Sequence, residues 1–128
     1  MQSIEQITRQ DTLLLSPDTP IRRAIAQLIE ADIAAAPVVD DSGKLIGILT
    51  QKDCFRPALL ASYYSEWKGT VTEFMTHSVV SLPISTDIVS AAEAFQTHPH
   101  RTFPVMNGER LVGMLRRSDV LVQLLNMS

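Results

Sequence analysis

Apolar residues recur at helical spacing in two places along the chain. In the run that opens "TPIRRAIAQL", Ile21, Ala24, Ile25, Leu28 and Ile29 fall at i, i+3, i+4, i+7 and i+8, a stripe that predicts an amphipathic helix. Thr19 is placed to cap that helix and Pro20 to be its first residue. In "TDIVSAAEAF" the stripe is Ile88, Ala91, Ala92 and Phe95. Short aliphatic runs surround both helices. "TLLL" (12–15) and "SVVS" (78–81) read as strands ahead of them. "APVVD" and "LIGILT" flank a "DSGK" turn, and "FPVM" and "LVGML" flank Asn107-Gly108, a two-residue hairpin signal. The last strand of each set runs into a helix, through "GILTQKDC" (47–54) and "GMLRRSDV" (113–120).

These sets are two copies of one unit. At an offset of 67, Thr19 falls on Thr86, Ile21 on Ile88, Ala24 on Ala91, Pro37 on Pro104 and Val38 on Val105. One residue is lost in a turn, and at an offset of 66 Leu45 falls on Leu111, Gly47 on Gly113 and Asp53 on Asp119. Upstream, "IEQIT" (4–8) sits on "VTEFM" (71–75). A shift confined to a turn is what a structural repeat tolerates. Each unit therefore reads β-α-β-β-α, and the chain is α/β of the α+β type with small mixed sheets and helices. The boundaries along the sequence are 1–66, a first unit with its N-terminal segment and linker, and 67–128, a second unit. A unit of about 60 residues buries too little surface to stand alone, so the two are expected to pack about a pseudo-twofold. In "RPALLASYYSEWKG" (56–69), Pro57 is expected to kink or end the helix begun after Thr50. Tyr63, Tyr64 and Trp67 are expected to pack the seam between units.

Composition narrows the functional classes. Hydrophobic residues make up 45% and charged residues 20% of 128 residues, the profile of a globular protein. A net charge of −3 argues against nucleic-acid binding through the overall field. No apolar run approaches a membrane span, and "MQSIEQITRQ" lacks the pattern of a secretion signal. The single cysteine, Cys54, suits a reducing compartment, so a cytoplasmic protein is expected.

Two tandem units, each with a helix after "TP" or "TD", a strand with "PVV" or "PVM", and a glycine-led close ending on aspartate, resemble a CBS-domain pair, or Bateman module. The resemblance covers about residues 4 to 125. It implies a stand-alone regulatory module that binds an adenosine-containing ligand (AMP, ADP, ATP or S-adenosylmethionine) in the cleft between units. That ligand would be regulatory, with no cofactor required, no metal and no catalysis. A homodimer and an unidentified effector protein are the implied partners. The alternative is a dimerisation or interaction scaffold whose clefts stay empty.

By the same resemblance, Thr50 contacts ribose or phosphate and Asp53 holds the ribose, with Asp119 as its counterpart in the second unit. A carboxylate accepts from both hydroxyls of a ribose at once, and a helix start keeps it ionised. Adenine would lie near backbone groups of Ala35, Ala36 and Pro37, and of Pro104 in the second unit. "TQKD" is equally a capping box, with Thr50 as cap and the acid three residues on. Arg116 stands where the second unit should carry a threonine, which either blocks that site or favours more phosphate charge. Arg116 and Arg117 lie in a helix's first turn against the dipole, where a bound phosphate would compensate. Arg101, in "HPHRTFPV", is a further phosphate candidate. His98, His100 and the distant His77 fall short of a metal-ligand spacing, and Cys54 reads as a small buried apolar residue. The last helix, "DVLVQLLNM" (119–127), is apolar nearly all round, so one side is expected on its own sheet and the other against a second unit or a second chain, and a homodimer is expected.

Overall fold

The computed structural model describes residues 2–127. Its contacts divide the chain into a first unit, residues 13–79, and a second unit in which the segment up to Thr12 joins the residues from Val80 onward. The first unit contains α1 (Ile21–Ala31), β1 (Ala35–Val39), β2 (Leu45–Thr50), a 3-10 turn at Lys52–Cys54, α2 (Phe55–Tyr64) and the short α3 (Val71–Phe74). The second contains a 3-10 turn at Ile4–Ile7, β3 (Leu82–Pro83), α4 (Ile88–Thr97), β4 (Thr102–Asn107), β5 (Arg110–Arg116) and α5 (Arg117–Asn126).

The sheets repeat one plan. β1 and β2 are antiparallel, with Leu15 bridging to Val38 in parallel sense on one side. β3 runs parallel to β4, and β4 antiparallel to β5, with Leu82 opposite Val105. On the far edge each sheet takes in a strap from elsewhere in the sequence. Thr76 exchanges both backbone hydrogen bonds with Ile48 (2.8 and 3.0 Å), and Arg9 does the same with Met114 (2.8 and 2.9 Å). The other end of each strap is tied to the start of a helix. Val71 N–H reaches the Thr19 carbonyl and Ile21 N–H the Gly69 carbonyl, while Ile4 N–H reaches Thr86 and Ile88 N–H reaches Gln2. By contacts, the two units therefore cross the linear boundary at 66/67. Residues 2–12 complete the unit of the second repeat, and residues 67–79 complete the unit of the first. The cause is local: Ile4 and Val71, each fully buried, supply an apolar side chain that the rest of the unit lacks.

The two cores match position for position. Ile21, Ala24, Val38, Leu49, Cys54 and Val71 in the first correspond to Ile88, Ala91, Val105, Leu115, Val120 and Ile4 in the second. The helical stripes are thus the buried faces, except that Ile29, the last residue of the first stripe, is 62% exposed. Several local expectations change. The strand read at 12–15 reduces to a bridge at Leu15, and none of 78–81 is strand, the pairing residues being Leu82–Pro83 just after it; each is an edge element, and Pro83 lacks a ladder donor. Thr19 does not cap α1: Pro20 takes the cap position without a side-chain bond, and the Thr19 carbonyl serves the strap. α4 is capped instead by Asp87, whose Oδ1 accepts the Ser90 N–H at 2.8 Å. The hairpin turn falls on Gly108-Glu109, since Asn107 still pairs with Arg110 and Gly108 carries the positive φ of 62°. Pro57 neither ends nor kinks α2. It sits in the helix's first turn, where the N–H it lacks would have had no partner. Tyr63 and Tyr64 are each 74% exposed rather than packed, and Trp67 lies under the Arg22 guanidinium.

Candidate functional site

In the first unit, the end of β2 and the 3-10 turn after it hold Thr50 and Asp53 face to face. Asp53 N–H donates to Thr50 Oγ1 and Thr50 N–H donates to Asp53 Oδ2, both at 3.0 Å, which is the reciprocal capping box. A third residue joins them from the strap: the Thr76 hydroxyl donates to Asp53, at 3.2 Å to Oδ2 and 3.5 Å to Oδ1. Oδ2 is thus well used and Oδ1 is nearly open. An ionised carboxylate accepts at several lone-pair positions, so Asp53 is fixed in place with accepting capacity left over. Ala35 lies opposite Thr50 in the ladder, and Ala36 opposite Leu49. Ala36 belongs to the core with no exposure, so its methyl faces inward. The Pro37 carbonyl accepts from Leu15 N–H, and the Ala34 carbonyl from Gln51 N–H, so most of this strand's backbone is already engaged.

Cys54 follows directly. Its thiol donates to the Thr50 carbonyl, and burial, helped by the Asp53 charge, pushes its pKa up to about 11. A thiol held protonated is a core residue, not a reactive one.

In the second unit, the same positions carry different chemistry. Asp119, at the start of α5, accepts from Arg116 Nε on Oδ2 (3.2 Å) and from its Nη2 on Oδ1 (3.3 Å). Arg9, from the strap, makes the same fork at 3.0 and 3.3 Å. Both carboxylate oxygens are doubly occupied. Burial works to raise the Asp119 pKa, but the bonds from Arg9 and Arg116 outweigh it and hold the carboxyl below its usual range. Arg117 turns its N–H to the Arg101 carbonyl at 3.0 Å, and Pro104 pairs with Met114 inside the sheet. The structure therefore brings Thr50 and Asp53 together with Ala35 opposite, and Arg116 and Asp119 together. It leaves the side chains of Arg101 and Arg117 exposed and outside the carboxylate's bonds. Sequence reading missed Thr76 and Arg9. The repeat offset of 67 places one on the other, which was the available signal.

Beside this lies an aromatic group. His100 stacks on the buried Phe103 with 5.1 Å between centroids, and His98 meets both rings edge-on. His98 Nδ1 lies 3.0 Å from the Ala94 carbonyl and so carries the proton, while His100 Nδ1 is buried without a partner. Burial, with His98 adding to it, lowers the His100 pKa. Among the described residues, no group of three or more His, Cys, Asp or Glu is placed to hold a metal ion, and no helix is long and apolar enough to cross a membrane. A hollow of about 570 Å³ beside α2, walled by Pro57, Leu60, Tyr64 and Phe74, includes none of the residues expected to hold a ligand.

Known proteins share this fold. CBSX2 of Arabidopsis thaliana, solved in complex with AMP, superposes with a TM-score of 0.85 at 26% identity, covering 99% of this chain and 98% of that one. The CBS domain pair of protein MJ0100, solved with 5′-methylthioadenosine and S-adenosyl-L-methionine, has a TM-score of 0.80 at 23% identity over all of this chain and 99% of that one, a likeness of fold. The inosine-5′-monophosphate dehydrogenase of Thermoplasma acidophilum is 25% identical over 96% of this chain, and the Bacillus subtilis protein YtoI 32% over 86%. The chain spans only about a quarter of the length of each of these two. The CBS domain profile matches residues 4–58 and again 71–126. The chain belongs to the CBS-domain family and carries that domain twice in tandem.

Proposed function

We propose that the protein is a regulatory module that senses an adenosine-containing nucleotide, with the sugar gripped by Asp53. The observation that carries this is the nearly open Oδ1, with only the long 3.5 Å Thr76 contact, of a carboxylate locked in place by Thr50 and Thr76. A diol needs an acceptor that is charged, immobile and not already filled, and Asp53 meets all three conditions. The AMP complex of the relative at 26% identity supports the ligand class. Ala35 and Pro37 line the strand beside Thr50, and Arg101, Pro104, Arg116 and Arg117 are the second unit's contribution near Asp119. Binding would alter the surface offered to an effector protein, in the cytoplasm, without catalysis. Titration calorimetry with AMP, ATP and S-adenosylmethionine tests the reading. Saturable heat with at least one at millimolar concentration or below is the expected result. No heat and no thermal shift with any of them would leave a scaffold as the better account.

The same reading includes a homodimer. On α2, Phe55, Leu59 and Tyr63 recur at i, i+4 and i+8 and are each at least half exposed, and on α5 so are Leu121, Val122 and Leu125. Apolar helix faces of this extent mark protein contacts, and a second copy of the chain is the partner we propose. Light scattering at micromolar concentration should give twice the chain mass of 14.2 kDa, and Leu125→Glu should shift it toward the monomer. A wild-type monomer would overturn the proposal.

A further inference from the structure

We propose that His98, His100 and Phe103 form an acid-sensitive clasp on the turn between α4 and β4, which holds the start of α5 at neutral pH and releases it when His100 takes up a proton.

The clasp is built on a core ring. Phe103 has no exposure, and Phe95 from α4 packs against it with 4.5 Å between centroids. His100 lies nearly flat on the other ring contact of Phe103, tilted by only 21°, while His98 meets His100 and Phe103 edge-on at 81° and 89°. His98 is itself fixed, since its backbone N–H and its Nδ1 both lie 3.0 Å from the Ala94 carbonyl. His100 is held by stacking alone, with Nδ1 buried and unpartnered. A neutral imidazole tolerates this with its proton on Nε2 and Nδ1 bare. A second proton would have to sit on Nδ1, as a charged donor with no acceptor.

The turn so held is tied to α5. The Arg101 carbonyl accepts the Arg117 N–H at 3.0 Å, and Arg117 is the first residue of a helix that has no side-chain cap. The first unit supplies the internal comparison. There the Ala34 carbonyl accepts the Gln51 N–H at 2.8 Å, the same tie at the same repeat offsets. Its turn, however, carries Ala31 and Ile33 where the second has His98 and His100, and Leu28 and Ala36 where the second has Phe95 and Phe103. Ile33 packs on the first core as an aliphatic residue. One unit therefore has a titratable turn and the other does not.

The sign follows from the surroundings. The charged side chains on the elements packed here are Glu93 of α4, Arg101 of the turn, Arg110 and Arg116 of β5, and Arg117 and Asp119 of α5. Asp119 is engaged by Arg9 and Arg116, and among the described residues neither imidazole is paired with a carboxylate. Burial, and then the charge of His98, oppose a proton on His100 and lower its pKa. An opened turn restores the ordinary imidazole value of about 6.5. The open form thus takes up the proton first, and the closed form's advantage, full above that value, declines as the pH falls below it. Acid loosens the start of α5 and leaves the first unit's tie intact.

The test is amide hydrogen exchange of the intact chain from about pH 7.5 to about pH 5.5, each rate taken relative to an unstructured chain. Protection at Arg117 should fall several-fold, with a ceiling of about tenfold set by one pH unit below the ordinary imidazole value, while protection at Gln51 stays level. His100→Ile, which copies the first unit's residue, should abolish the pH response at Arg117. An NMR titration of the His100 ring in the wild type is the second readout, independent of whether the variant folds, and its midpoint should lie below the ordinary value. Equal losses at Arg117 and Gln51, an unchanged pH response in His100→Ile, or a His100 midpoint at or above the ordinary value would each overturn the proposal.

Discussion

Gly113→Ala is expected to lower stability by about 2–3 kcal/mol, whereas Gly47→Ala, at the equivalent position of the first unit, should cost less than about 1 kcal/mol. The two glycines share a motif but face different obstacles. A methyl group on Gly113 would run into the backbone carbonyl of Arg9, which cannot rotate away. A methyl on Gly47 would meet Met75 at its sulfur and the two carbons bonded to it, Cγ and Cε, 2.6 to 3.1 Å away, and a thioether chain can swing aside. Neither glycine has a positive φ, so alanine is conformationally acceptable at both and stiffens the unfolded chain slightly in each case. That small gain offsets much of the cost at Gly47 and little of it at Gly113. Relief at Gly113 means lifting the strap, which breaks both Arg9–Met114 backbone bonds and loosens Ile4 from the core. Urea unfolding of both variants checks the ordering, and amide exchange at Arg9 locates the damage. Equal costs, or faster exchange at Thr76 than at Arg9, would contradict it.

The same strap explains what sequence reading could and could not deliver. The helical stripes at Ile21–Ile29 and Ile88–Phe95 were legible because burial on one face imposes a period that survives in any single chain. The repeat was legible because the two cores select the same residue types at the same spacings. The Thr50–Asp53 box was legible because it is local, with both partners within three residues. The strap exchange was not, because Arg9 and Asp119 lie 110 positions apart and nothing in their separation marks them as partners. The first strand of each unit was overread. Aliphatic runs such as "TLLL" and "SVVS" have strand composition, but an edge with one neighbour pairs over one or two residues only, at Leu15 in the first unit and at Leu82–Pro83, just past "SVVS", in the second. Asp53 and Asp119 looked alike in the motif. What separates them is the local exchange of Thr50 for Arg116, legible in the sequence, and which side chain a remote segment lays against each, a hydroxyl in one case and a guanidinium in the other.

That difference sets up the second large effect, on Asp53 itself. Asp53→Ala should reduce stability by about 1 kcal/mol, since it removes one half of a capping box at a partly exposed helix start. Its effect on ligand should be larger. Hydrogen bonds to a charged group are each worth about 1.5–3 kcal/mol, so loss of the sugar's acceptor should weaken binding roughly ten- to hundredfold. The alanine variant alone is ambiguous, because a disturbed cap also moves Thr50. Asp53→Asn resolves this. An amide retains an oxygen that accepts the Thr50 N–H and the Thr76 hydroxyl, so the cap persists and the melting temperature should barely change. The negative charge and one acceptor are lost, so a diol that depends on both should still bind at least about tenfold more weakly. If capping is the whole purpose of the residue, the asparagine variant will bind nucleotide as the wild type does while the alanine variant loses stability. If it grips the sugar, the two variants will share the binding defect and differ in stability. Calorimetry and thermal unfolding on the same three samples distinguish these outcomes, because the proposed grip depends on the charge of Asp53 and the cap only on an oxygen in its place.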